Sequence, residues 1–189
     1  MNIIEIFTKS LILIFSFDKD LWEIIVLSLY VSITALILAS IFGLLVGYYL
    51  ALKNFVLKNF ILIFLNSLMG IPPVVVGLIV YFMFASGGPL GVLQLLYTPT
   101  AMIIAQVIII FPIVTSLSHE IFDQNWREYR DQLRSINMTF FGILFIISKH
   151  SYFLIITALL SAFGRAISEV GAVMIVGGNI NHFTRVMTT

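Results

Sequence analysis

The sequence predicts an all-α, polytopic membrane helical bundle, and three observations carry that expectation. Of the 189 residues, 60% are hydrophobic and only 10% are charged, with a mean hydropathy of +1.10. A soluble domain averages about 45–50% apolar and about 25% charged residues, so too few charges exist here to clothe a water-facing surface. Second, residues 24–52 and 60–118 are free of Lys, Arg, Asp and Glu, and the second run is too long for one crossing. Third, Arg165 and Glu169 stand one helical turn apart inside apolar sequence. Charges at membrane depth are costly, so they normally face a bundle interior or a water-filled path and have a use.

Residues 1–20 form an N-terminal segment ahead of a transmembrane domain at 21–189. Residues 11–17 are apolar beside Glu5 and Lys9, with no basic start and no small-residue cleavage site, so this is not a secretory signal. The segment is short and is expected to lie in the membrane interface. The first span, 24–52, covers about 29 residues, roughly 43 Å as a helix, which is enough to cross with tilt. Trp22 at its start and Tyr48 and Tyr49 near its end suit the two interfacial aromatic belts. Gly43 and Gly47 make a small-xxx-small pair that either admits another helix closely or simply eases packing.

The second run breaks twice. Gly87-Gly88-Pro89-Leu90-Gly91 reads as a loop, and Thr98-Pro99 places Pro in the first turn of a new helix. Spans are therefore expected at 60–85 and 99–118. Pro72 and Pro73 must kink the first of these, because each removes an amide donor and clashes with the preceding turn. That kink, with Gly77 behind it, either borders a solute path or only bends the helix. Gln106 and Pro112 are weaker signals; a lone Gln is usually an interhelical hydrogen bond.

Residues 119–149 form a coupling region whose first part is the only strongly polar stretch, carrying Glu120, Asp123, Arg127, Glu128, Arg130, Asp131 and Arg134. It reads as a solvated helix, or as a short helix along the surface that offers itself to a partner. A last span follows at 151–176, apolar except for Arg165 and Glu169, and Gly177-Gly178-Asn179 ends it. Arg165 lies about 21 Å along that helix, past the middle of a core roughly 30 Å thick. The positive-inside rule puts the loop with Lys53 and Lys58, and the segment with Arg127, Arg130, Arg134 and Lys149, in the cytoplasm. Four crossings follow, with 18–20 and 177–181 outside.

Several classes are excluded. The formal net charge of +1 and the lack of a basic tail offer nothing to nucleic acid, and without cysteine there is no disulfide or thiolate site. His119, His150 and His182 are scattered, with no metal-ligand spacing. No Gly-x-Ser-x-Gly occurs, and no Gly-x-x-x-x-Gly-Lys-Ser/Thr loop that would hold a nucleotide. No catalytic residue, metal ligand or cofactor site is therefore expected. An intramembrane enzyme lacks its residues, and an ATPase-independent channel would leave the polar stretch without a partner.

Three blocks carry a family resemblance: Asn66 to Leu78 around Ile71-Pro72-Pro73-Val74-Val75-Val76-Gly77, Gly87 through Gln106, and Gly164-Arg165-Ala166-Ile167-Ser168-Glu169-Val170-Gly171 on to Ile180. The chain resembles the permease subunit of type I ABC importers, nearest to the tungstate permeases in the group that also handles molybdate and sulfate. The resemblance implies the type I importer permease (MetI-like) fold with one further span after Thr189, so that this chain lacks the final one. It implies a homodimeric pore in membrane lipid, a cytoplasmic ABC ATPase and an extracytoplasmic oxyanion-binding protein. Tungstate is the expected cargo, with molybdate or sulfate as the alternative.

The family's Glu-Ala-Ala-x-x-x-Gly coupling pattern falls here on Asp131-Gln132-Leu133-Arg134-Ser135-Ile136-Asn137. Asp131 replaces the acidic anchor, and Asn137 tolerates the left-handed backbone that Gly would allow. Gln132 and Leu133 stand where two alanines would, which implies a co-adapted ATPase groove. Pro72, Pro73, Gly77, Arg165, Ser168, Glu169 and Gly171 are the expected path or gate residues. Arg165 and Glu169 stand either as a structural or gating ion pair or with Arg165 facing the anion.

Overall fold

The computed structural model describes residues 18–188, and every regular element among them is a helix. The interfacial expectation for residues 1–17 lies outside the described residues. Helix α1 spans Lys19–Leu52. Asp18 opens it, its side chain accepting from the Leu21 amide at 3.1 Å, which satisfies one orphan donor of the first turn. Lys19 and Asp20 are thus already helical, so the helix starts before the charge-free run that predicts it.

Ser28, Ser32, Ala35, Ala39, Gly43 and Gly47 are all buried on α1. Spacings of three and four put them on one stripe. That stripe packs on helix α4, Pro99–Ser135. A Cβ on Gly43 would sit 2.9 Å from Val114 Cγ1, and one on Gly47 would sit 2.8 Å from the Thr115 carbonyl oxygen. The Ser118 hydroxyl crosses the seam to donate to the Gly43 carbonyl at 3.3 Å. The two glycines admit a helix of the same chain.

Helix α4 opens on Thr98, whose hydroxyl accepts from the Ala101 amide at 3.4 Å, with Pro99 in its first turn. It does not stop at 118. The polar stretch is helical, as the solvated-helix reading has it, and is not a separate helix; it continues α4 to Ser135. No Gly or Pro interrupts residues 113–135, and Asp123 pairs with Arg127 one turn on at 2.7 Å. At 1.5 Å per residue, 37 residues reach about 56 Å, well beyond a hydrocarbon core of about 30 Å.

Helices α2, Lys58–Met69, and α3, Pro73–Phe84, meet at a bend of 99°. The expected kink is a full break. Helix α5, Phe140–His150, meets α6, Tyr152–Ile167, at 80°. The span expected as one helix over 151–176 is split again, because α6 ends at Ile167 and a short α7 runs Gly171–Gly177. Gly178, at φ 73, closes α7 in the left-handed conformation. By length and apolarity α1 and α4 can each cross a membrane. The count reaches four only if each bent pair is one crossing.

Two apolar cores hold the bundle. One joins Val31, Ala35 and Ala39 of α1 to Val80 and Phe84 of α3, Met102 and Ile110 of α4, and Val173 and Val176 of α7. The other joins Tyr48 and Ala51 to Phe122, Trp126 and Leu133 of α4 and to Ile143 and Ile147 of α5. The two basic stretches meet at the second end, where Lys58 lies 3.7 Å from Asp123. At the opposite end Glu23 of α1 pairs with His182 at 3.1 Å.

Candidate functional site

Two helix breaks lie side by side, and the residues expected in the path fall in them or in the helices that flank them. The first break, Gly70 to Pro72, follows from its sequence. Pro72 and Pro73 offer no amide to the turn before them, and Pro72 takes the extended backbone that precedes a new helix, with Pro73 as its first residue. The Gly70 and Ile71 amides still close the end of α2, donating to Ser67 and Leu68 carbonyls at 3.1 and 3.2 Å.

The second break, Ser168 to Val170, is made by side chains. Arg165 Nη1 donates to Glu169 Oε2 at 3.0 Å, and Glu169 Oε1 accepts from the Ala172 amide at 3.1 Å. Glu169 thus joins the last turn of α6 to the first turn of α7. A carboxylate is favoured at the amide-rich start of a helix and a guanidinium at the carbonyl-rich end of one. Gln106 of α4 donates from Nε2 to the Ala166 carbonyl at 3.1 Å, a carbonyl in the last turn of α6 that also accepts from the Glu169 amide at 3.3 Å. The Thr188 hydroxyl donates to the Glu169 carbonyl at 2.8 Å.

Burial differs sharply across the ion pair: the Glu169 side chain is 4% exposed and that of Arg165 is 37% exposed. The guanidinium has five donors, and Glu169 is its one hydrogen-bond partner among the described residues. Arg165 also walls a cavity of about 40 Å³ together with Leu68, Met69 and Ile71 at the first break. The Arg of one break therefore looks onto the other.

Helices α3 and α7 lock these parts together. A Cβ on Gly77 would lie 2.7 Å from Ala172 Cα, and one on Gly171 would lie 2.6 Å from Val74 Cγ2. Pro72, Pro73, Gly77, Arg165, Glu169 and Gly171 are thereby brought into one region. Ser168 stays exposed at its edge, its hydroxyl donating to the Arg165 carbonyl at 3.2 Å. Tyr97 closes the far end of α7, where its amide donates to the Val176 carbonyl at 3.0 Å. A hydrogen bond with Tyr81 pushes the Tyr97 phenol above its ordinary value.

The coupling residues lie elsewhere, at the far end of α4. Asp131, Gln132, Arg134 and Asn137 are exposed there. Leu133 is not: it is buried in the second core, so it corrects the expectation of a docking residue. The reason is spacing, since Leu133 follows Trp126 by two turns and shares its inward face. Arg134 lies over the Trp126 ring, 5.5 Å from its centroid. Asn137 takes φ 48, the left-handed conformation expected of it.

Gln106, Val74 and Ala172 complete the site without having been expected there. Gln106 stood out in the sequence only as a lone polar residue. The other two carried no signal, because an apolar residue beside a glycine is ordinary in a membrane helix.

Residues 39–188 match the family described as binding-protein-dependent transport system inner membrane component. The chain is 40% identical over 187 residues to the tungstate uptake system permease protein TupB of Peptoclostridium acidaminophilum, covering 99% of this chain and 82% of that protein. It is 39% identical over 172 residues to a probable anion ABC transporter permease protein of Haloferax volcanii, covering 88% and 74%. Against the tungstate uptake system permease protein TupB of Campylobacter jejuni it is 33% identical over 183 residues, covering 97% and 77%.

Proposed function

This chain belongs to the family of binding-protein-dependent transport system inner membrane components, and we propose that it is the permease of an ATP-driven importer of tungstate. It is a multi-pass protein of the inner membrane. The observation that carries the cargo is the 40% identity to a tungstate uptake permease across 99% of the chain. Two further relatives are described as an anion permease and a tungstate permease, and nothing favours molybdate or sulfate over these.

In this reading two copies form the pore, a separate ATPase supplies hydrolysis, and a binding protein delivers the oxyanion outside. Closure of the ATPases acts on Asp131, Gln132, Arg134 and Asn137 and reaches the two breaks through α4. An anion cannot pass an unpaired buried acid, and Arg165 neutralises Glu169 while keeping donors free. The pair thus serves as a gate element, and the half-exposed guanidinium is the group of this site able to meet the anion as it passes. A single Arg holds an oxyanion weakly enough to release it, which leaves selectivity with the binding protein.

The test is uptake by vesicles holding the permease with its ATPase and binding protein. ATP-dependent tungstate accumulation, competed poorly by sulfate, is expected. Uptake that proceeds without the ATPase would overturn the assignment.

A further inference from the structure

We propose that Gln106, Ser32 and Glu169 together bind one water molecule, wedged between α1, α4 and the break that follows α6. A small cavity of about 10 Å³ lies there, with Ser28, Ser32, Gln106, Glu169 and Thr188 in its wall. A buried water needs roughly 10–15 Å³ and two to four polar partners.

The side chains around it are nearly all committed. Ser28 donates to the Ile24 carbonyl at 2.6 Å and accepts from the Met187 amide at 2.8 Å. The Thr188 proton is on the Glu169 carbonyl. Gln106, 4% exposed, has its amide orientation fixed because Nε2 must face the Ala166 carbonyl. Its Oε1 is left buried with no hydrogen-bond partner among the described residues. Buried oxygens are seldom left so, because the lost hydration is not recovered.

Charge decides the guest. Arg165 already balances Glu169, so a cation in this low-dielectric setting would be uncompensated, and an anion would meet a carboxylate. An apolar guest would leave Oε1 orphaned. Water alone fits the donor pattern: it donates to Gln106 Oε1 and to the Glu169 carboxylate, and accepts from Ser32. The site thereby links two long helices to the ion pair through a neutral joint. It rests on the geometry of the break and holds whichever solute is carried.

The assembled transporter, imaged by cryo-electron microscopy at a resolution that shows ordered water, gives the direct test. A peak within about 3.2 Å of Gln106 Oε1 is expected in sodium and in choline buffers alike. No peak there overturns the proposal, and a peak lost in choline overturns it in favour of a cation. Thermal midpoints give an independent check on Ser32→Ala, Gln106→Leu and the double variant. Ser32→Ala should lower the midpoint by about 2–4 °C, and the double should fall no further than Gln106→Leu alone. Additive shifts, or a Ser32→Ala variant as stable as the parent, contradict a shared water. Should a variant fail to assemble, the map of the unmodified protein still decides.

Discussion

Glu169 is held at both carboxylate oxygens, by the Arg165 guanidinium at 3.0 Å and by the Ala172 amide at 3.1 Å. The two contacts differ in kind, since one is an ion pair and the other a helix cap.

Removing Arg165 leaves a buried carboxylate with only the cap. Arg165→Ala should cost about 2–3 kcal/mol, while Arg165→Ala with Glu169→Ala should cost less than the two singles added. Denaturation midpoints of the purified protein check this. Strict additivity would remove the pair as a unit of the fold. Tungstate uptake by Arg165→Lys separates the roles, because lysine keeps the charge but loses the planar fork; a purely structural pair predicts near-normal uptake.

Gly77 faces Ala172 Cα at a distance no Cβ tolerates, whereas a Cβ on Gly164 would meet nothing within 4 Å. Gly77→Ala should therefore destabilise by about 1–3 kcal/mol, and Gly164→Ala should be neutral or slightly stabilising. Equal effects from the two would contradict the packing of α3 on α7.

At the far end of α4, Leu133 and Asp131 should part company. Leu133→Ala should lose about 2–4 kcal/mol of stability, as a core truncation does. Asp131→Lys, exposed on its helix, should leave the melting curve unchanged and reduce ATP-driven uptake at least several-fold. Normal uptake by Asp131→Lys would place the coupling contact elsewhere.

Asn137 sits at φ 48, so its replacements should rank by tolerance of that backbone. Asn137→Gly should be neutral, and Asn137→Val should cost about 1–2 kcal/mol, read by thermal unfolding. Equal stability for both would mean that the turn relaxes freely.

The residues explain why some of this was legible in the sequence and some was not. Pro72-Pro73 announced the first break because proline acts through its own covalent structure. Ser168 to Val170 gave no such sign, since Glu169 breaks the helix only by capping α7 with its side chain. The polarity of residues 119–134 marks where the chain leaves apolar sequence but not where the helix ends, since Glu, Arg, Gln and Leu favour helix and nothing there interrupts one. The motif position of Leu133 points to coupling, while its spacing from Trp126 points it inward. The spacing of Arg165 and Glu169 allows an ion pair without requiring one, and what the spare donors of Arg165 face depends on the first break lying beside them.

Because α4 continues unbroken from Gln106 to Asp131, the two residues are joined by a rod of about 37 Å. A loop or hinge between them would absorb a small stroke; a helix carries it as a whole, with Pro112 beyond Gln106 as the one compliant point. On the proposed reading, the stroke of the ATPase would reach the Ala166 carbonyl through this helix and Gln106. In that reading, the stiffness of one helix, more than the chemistry of any single side chain, would set how tightly the gate follows its motor.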